Sequence, residues 1–393
     1  MSAHVTTHGP RYRRTARWAS TIGLSLALAV PLGGIGGAGA IPASGSAASA
    51  YGGSLVNYTS SVDAFPLSYY EFLPAGFNST IAHPLVIYLH GQQDISGVWV
   101  KGGIESDLVQ DFLLAGSDGV TARAVVNATS AAGMILIALN SRSGSGWYID
   151  SPCGGPQQQD VMDAIHHEES LRNVSKLYLF GMSMGTEGVQ YTASLHPGMF
   201  AGIGLVAPVT DLFEDIAYRA YLVRTANATD PWAWSSIQAK EYLFCGVGPG
   251  TANASERAVD RMLTNMSPLR FDVNAFLNVP IYITAGGGDD RAPDSVKYWP
   301  TWLNVNDTLI NRTCHRVIAY GEPNVCSVPL GHLHMRSPTK WTFRFVYELH
   351  AGHDISQLDP SDMVAFWEGA NPGGYYIGGY PFTTITTNTR LPY

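Results

Sequence analysis

Charge is scarce in this chain. Lysine, arginine, aspartate and glutamate supply only 14% of its 393 residues, against 46% hydrophobic residues. The high charge and low apolar content that keep a chain disordered are therefore absent. Bases are scarcer than acids, 23 against 31. Four of the bases (Arg11, Arg13, Arg14, Arg17) fall in the first 50 residues, where no acid occurs, so the remainder sets 19 bases against 31 acids, a balance of −12. An acidic body of this kind cannot grip a phosphate backbone. Nucleic-acid binding and polybasic membrane attachment are excluded.

Long apolar runs are missing as well. The best candidate, Thr21–Val30 (TIGLSLALAV), is cut off by Pro31 and the glycines after it, well short of the ~20 residues that span a bilayer. Arginines precede the run, and Ala-x-Ala patterns at Ala38–Ala40 and Ala48–Ala50 follow it. That order reads as a cleavable export signal, with residues 1–50 as signal and linker. It predicts no stable membrane insertion once the signal is removed, and a secreted or cell-envelope destination.

Cysteine is limited to Cys153, Cys245, Cys314 and Cys326. No Cys-x-x-Cys spacing exists, so no zinc site is expected, nor any other metal or cofactor. An even count behind an export signal reads instead as disulfides. Cys314–Cys326 is favoured as a local clip, which leaves Cys153–Cys245 as the second bridge. Nine Asn-x-Ser/Thr sequons begin at Asn57, Asn78, Asn127, Asn173, Asn227, Asn253, Asn265, Asn306 and Asn311. They suit a surface that meets a glycosylation machinery.

What is abundant is a succession of short apolar runs. PLVIYL (84–89), GMILIAL (133–139), KLYLF (176–180), GIGLV (202–206), PIYIT (280–284) and TFRFVYEL (342–349) are bounded mostly by Gly, Pro or Asn. They read as strands buried on both faces. Helical patterns lie between them, as at Gln158–Glu169 and Met184–His196, so an α/β architecture with a mostly parallel sheet follows. No composition break divides residues 51–393, which reads as one domain. Ligands in such sheets sit beyond the carboxyl ends of the strands.

One strand end carries a distinctive pattern. KLYLF passes into Gly181-Met182-Ser183-Met184-Gly185 and then into a helix-compatible run. Gly-x-Ser-x-Gly between a strand and a helix is a nucleophile elbow, in which the glycines permit a sharp turn and the serine oxygen is exposed above the sheet. A serine hydroxyl needs a base, and the base an orienting carboxylate. PIYIT runs into Ala285-Gly286-Gly287-Gly288-Asp289-Asp290, and Asp289, first after the glycines, is favoured over Asp290. The last long strand ends near His350-Ala351-Gly352-His353. His353 is favoured as the base over His350 and His332; the GHLH at 331–334 lacks a partner spaced to complete a metal site. The strand PLVIYL ends in His90-Gly91-Gln92, which makes the N–H of Gln92, with that of Met184, the expected donors to an oxyanion.

Together these residues resemble the α/β-hydrolase superfamily over nearly all of residues 66–370. PLSYYEFLPAG followed by PLVIYLHG, with QQQDVMDAI and LHPGMFAGIG around the elbow, is similar to secreted esterases of the polyhydroxybutyrate-depolymerase and feruloyl-esterase type. NVPIYITAGGGDDRAP looks more like the prolyl-oligopeptidase branch, which implies Asp289 as the acid. Thr186 departs from the pattern, standing where a glycine commonly follows the elbow. The resemblance implies an α/β-hydrolase fold and a small-molecule or polymeric ester as substrate. Peptide cleavage by the same triad is one alternative, with Glu214 and Asp215 available to grip an amine. A catalytically inactive binding protein is another. Residues 208–275 are rich in aromatics and read either as a cap over the site or as an ordinary helical excursion. Trp147, Tyr148, Trp232 and Trp234 are candidates for a substrate wall.

Overall fold

Val86, Ile87, Tyr88 and Leu89 leave the third strand without a polar face, and a computed structural model places that strand inside a ten-stranded sheet. The structure describes residues 53–91, 116–142, 148–151, 155–209, 273–276, 278–286, 343–348, 358–370, 374–377 and 380–381. In chain order the strands are β1 (Gly53–Thr59), β2 (Pro66–Phe72), β3 (His83–Leu89), β4 (Ile135–Leu139) and β5 (Val174–Met182). β6 (Gly202–Val206), β7 (Ile281–Gly286), β8 (Phe343–Glu348), β9 (Gly374–Ile377) and β10 (Tyr380–Pro381) complete the sheet. Their spatial order is β1-β2-β4-β3-β5-β6-β7-β8-β9-β10. Strands β4 to β9 run parallel, while β1 and β2, and β10 at the far edge, pair antiparallel. All six sequence-predicted strands are present with ends shifted by a few residues.

Alternation along each strand divides the interior into two layers. Leu85, Ile87 and Leu89 pack with Val161, Ile165, Val189 and Ala193, which belong to α2 (Gln157–Leu171) and α3 (Gly185–Leu195). Val86 and Tyr88 point the other way, into a layer with Val125, Met363, Phe366 and Trp367, from α1 (Gly116–Ala131) and α4 (Pro360–Trp367). A parallel core with helices on both faces, antiparallel first strands and a serine turn between β5 and α3 constitute the α/β-hydrolase fold. No helix among the described residues is long and apolar enough to cross a membrane.

The α4 helix fastens the strands that lead toward the expected acid and base. Asp359 caps it, accepting from the N–H groups of Ser361 at 3.0 Å and Asp362 at 3.1 Å, and Pro360 occupies the first turn. Asp362 then accepts from the Tyr282 hydroxyl on β7 at 2.8 Å and from Arg344 Nε on β8 at 2.6 Å. Trp367 stacks on Tyr178, ring centroids 5.0 Å apart, and donates to the Ile203 carbonyl at 3.1 Å. Gly202 makes room for it: a Cβ there would lie 2.5 Å from Trp367 Cδ1.

Polar side chains are also buried on the α2 side. Glu168 is wholly buried and accepts from the Tyr69 hydroxyl at 2.6 Å. Arg172 makes a two-pronged bond to Glu71, 2.7 and 3.0 Å, and lies 3.7 Å from Glu168. Burial pushes the Glu168 carboxyl up to about 7, with the Glu71 charge adding to the rise and the Tyr69 hydrogen bond opposing it. The folded state thus holds this proton more tightly than the unfolded chain. Its stabilisation is complete below the ordinary value of 4.5 and is lost as pH rises through about 7. Glu168→Gln has no proton to lose. Thermal melts should show the wild type losing about 1–3 kcal/mol more stability than the variant across that window. Parallel pH profiles would refute the assignment.

Candidate active site

The Ser183 turn is over-determined by its surroundings. Met182 ends β5, and Ser183 takes φ +51°, the left-handed region that non-glycine residues adopt only when surrounding contacts hold them there. Its N–H donates to the Val206 carbonyl on β6 at 2.9 Å, and its carbonyl accepts the Thr186 N–H at 3.0 Å. Ser183 keeps 9% of its surface exposed.

Two glycines are required by contact rather than by propensity. A Cβ on Gly185 would lie 2.2 Å from the Leu89 carbonyl oxygen and 2.7 Å from that of His90. The start of α3 therefore sits directly against the end of β3. A Cβ on Gly181 would lie 2.6 Å from the Gly185 carbonyl oxygen, which is how closely the turn folds on itself. Gly91 completes the arrangement, since a Cβ there would lie 3.0 Å from both Ser183 Cβ and the Met182 carbonyl oxygen. The chain leaving β3 thus passes beside the serine, the approach that an oxyanion donor at residue 92 requires.

Met184 sits at the N-cap of α3 with φ −57° and ψ −32°. Its N–H belongs to the first turn, where no intrahelical acceptor exists, and the helix dipole adds positive character there. His90 is 1% exposed, and its Nδ1 donates to the Gly91 carbonyl at 2.6 Å. Burial lowers its pKa to about 4, so at neutral pH the ring is uncharged and Nε2 carries no proton. The Nε2 atom has no hydrogen-bond partner. His90 is a rigid prop under Gly91.

Tyr148 supports the same corner. It is 2% exposed, takes φ +52° and donates its hydroxyl to the Leu139 carbonyl at 2.7 Å. Its ring meets His90 edge-on, 5.4 Å between centroids. Expected on a substrate wall, Tyr148 instead faces the core and His90. Arg142, just past β4, bonds Asp63 at 2.6 and 2.9 Å and chelates the Asp160 carboxylate. Hydrogen bonding to that guanidinium holds the Asp63 carboxyl down at about 2.

Gln92, Trp147, Trp232, Trp234, Asp289, Asp290, His332, His350, His353 and all four cysteines lie outside the described residues, as does residues 210–272 of the expected cap. The strands that precede the expected acid and base are described. β7 and β8 are parallel neighbours paired through Gly286 and Glu348, with Asp289 three residues past one end and His353 five past the other. No group of three or more metal-ligating side chains occurs among the described residues.

Sequence reading missed Thr186 and Gln190 as contributors to the turn. Both are wholly buried on the inner face of α3, where apolar side chains would be usual. Polar residues four apart on that face were the available signal. The arrangement as a whole presents one hydroxyl at the carboxyl end of a parallel sheet, beside a helix N-terminus and a close-packed glycine strand end.

No family model matches this chain, and no curated protein matches it. Among solved structures, Est1E from Butyrivibrio proteoclasticus is 13% identical, aligned over 80% of this chain and 96% of that one at a TM-score of 0.44. A ferulic acid esterase is 15% identical over 78% of this chain and 92% of its own, TM-score 0.43. The acylaminoacyl peptidase of Pyrococcus horikoshii is 11% identical over 80% of this chain and 40% of its own, TM-score 0.45. Strand order and the turn at Ser183, rather than these likenesses, identify the fold.

Proposed function

We propose that this chain is an exported serine hydrolase that cleaves carboxylic esters through an acyl-serine intermediate. The observation that carries the reading is Ser183 at φ +51° on a turn locked between β5, β6 and the end of β3. A backbone held in that conformation for a serine is the strain expected where a nucleophile is presented.

In the proposed reaction Ser183 Oγ attacks the acyl carbon while His353 Nε2 takes the hydroxyl proton. Asp289 holds the imidazole in the tautomer that can accept it. Negative charge on the former carbonyl oxygen is met by the N–H groups of Met184 and Gln92, each worth roughly 3–4 kcal/mol of barrier. The His90 prop and the tight Gly91 contact would keep the second donor from drifting. Collapse expels the alcohol, which takes its proton from His353. Water, activated by the same histidine, then releases the acid and restores the serine. The export signal, the bridges Cys153–Cys245 and Cys314–Cys326, and glycosylation at some of the sequons belong to the same proposal; Asn57, Asn78, Asn127 and Asn173 are all exposed, as acceptors must be.

Esters and amides separate the competing readings. Ester cleavage has a good leaving group, whereas amide cleavage also demands protonation of a poor one and firm anchoring of both sides of the substrate. The mature protein should hydrolyse p-nitrophenyl acetate or butyrate with ~10²-fold or greater preference over aminoacyl p-nitroanilides. Equal or faster turnover of an anilide would make it a peptidase. No turnover of either would leave a binding protein.

A further inference from the structure

Ser183 is not the only strained residue at this end of the sheet. Ala207, one residue past β6, takes φ +48°. Its N–H donates to the Thr284 carbonyl on β7 at 3.1 Å. Two adjacent parallel strands therefore each end in a left-handed, non-glycine residue, and each carries a cost of ~1–3 kcal/mol that its surroundings must offset.

The same two side chains connect both turns. The Thr186 hydroxyl donates to the Ser183 carbonyl and accepts the Val209 N–H at 3.0 Å. Gln190 Nε2, one turn further along α3, donates to the Thr186 carbonyl at 2.9 Å and to the Val209 carbonyl at 3.0 Å. Thr186 and Gln190 are both 0% exposed, and Val209 is 5% exposed. Buried polar groups with full partners act as rigid struts, and losing one member leaves a buried donor or acceptor unsatisfied. A glycine at 186 could supply neither of the two hydroxyl bonds.

On the reading of Ser183 as nucleophile, we infer that Thr186 and Gln190 are positioning residues. They hold the Ser183 turn in register with the chain leaving β6, so that the serine oxygen keeps its angle of attack. They act through the backbone of Ser183 and Val209 and touch no substrate.

Thr186→Val keeps shape and volume but removes the hydroxyl. It should lower kcat for p-nitrophenyl acetate, and the rate of Ser183 labelling by a fluorophosphonate, by about 10–100-fold with KM little changed. Thr186→Ser restores both bonds and should recover most of the rate. Gln190→Met tests the second strut without touching Thr186 and should shift kcat in the same direction; it decides the matter if Thr186→Val does not fold. Wild-type rates in a folded Thr186→Val, or a Thr186→Ser as slow as Thr186→Val, would overturn the inference while wild-type labelling leaves the nucleophile standing. Failure of the probe to label wild-type Ser183 would overturn both together.

Discussion

Ser183→Ala is expected to remove nearly all ester hydrolysis, a loss of ~10⁶ in turnover, while leaving the protein folded. The structure explains why the second half should hold. Alanine keeps the Cβ that packs beside Gly91, and the turn needs only a residue that tolerates φ +51°, a conformation Ala207 already adopts nearby at +48°. The backbone bonds to Val206 and Thr186 do not involve the side chain that is removed. Circular dichroism and melting temperature should therefore match the wild type closely, and p-nitrophenyl butyrate turnover should fall to background. A folded variant that keeps more than a few per cent of the activity would sink the assignment of the nucleophile.

The second large effect concerns the acid. Asp289→Asn should lower kcat by ~10⁴, because an amide cannot hold the histidine in the accepting tautomer. Asp290→Asn should cost far less. The ranking rests on Asp289 standing first after the glycines that follow β7; β7 and β8, the strands that precede it and His353, pair in parallel through Gly286 and Glu348. Measured kcat values for the two variants, compared side by side, settle which aspartate serves. A larger loss in Asp290→Asn would transfer the role to that residue.

Much of this was legible in the residues themselves. KLYLF followed by GMSMG had to be a strand, a tight turn and a helix, because the glycines admit few alternatives and the apolar run has no polar face. The antiparallel first strands were harder. β2 reads PLSYYEF, yet every residue after Pro66 is buried. Ser68 and Glu71 are tolerated because Asn140 donates to the Ser68 hydroxyl at 2.8 Å and Arg172 neutralises Glu71. Those partners are 72 and 101 residues away in sequence, so no local pattern announces them. α1 escaped notice because GSDGVTARAVVNATSA combines glycines with β-branched residues, which depress helix propensity; Val125 and Thr129 on its buried face are fixed by packing instead. At the site the serine was visible and its supports were not. Thr186 looked like a mere departure from a pattern until Val209 was seen to bond it, and Tyr148, read as a candidate for a substrate wall, has its hydroxyl on the Leu139 carbonyl inside the core.

The turn at Ser183 also bears on when the proposed nucleophile would become reactive. Thr186 in α3 bonds the Ser183 carbonyl locally, but the other contacts that hold the turn are not supplied by β5 and α3. The end of β3 comes from about ninety residues earlier, and Val206 and Val209 arrive with the next strand. A segment comprising only β5, the turn and α3 keeps only the Thr186 bonds to set against the strain, and would let the serine relax into an ordinary conformation. Parallel pairing of this kind forms late, since long loops must close before any strand is rewarded. The Ser183 turn is thus completed by the sheet rather than by its own neighbourhood alone. On the proposed reading, a chain not yet folded carries an inert hydroxyl, and reactivity waits for the closing of β3, β5 and β6 together with the strands that lead to Asp289 and His353. For the exported hydrolase proposed above, that delay would serve as a built-in safeguard.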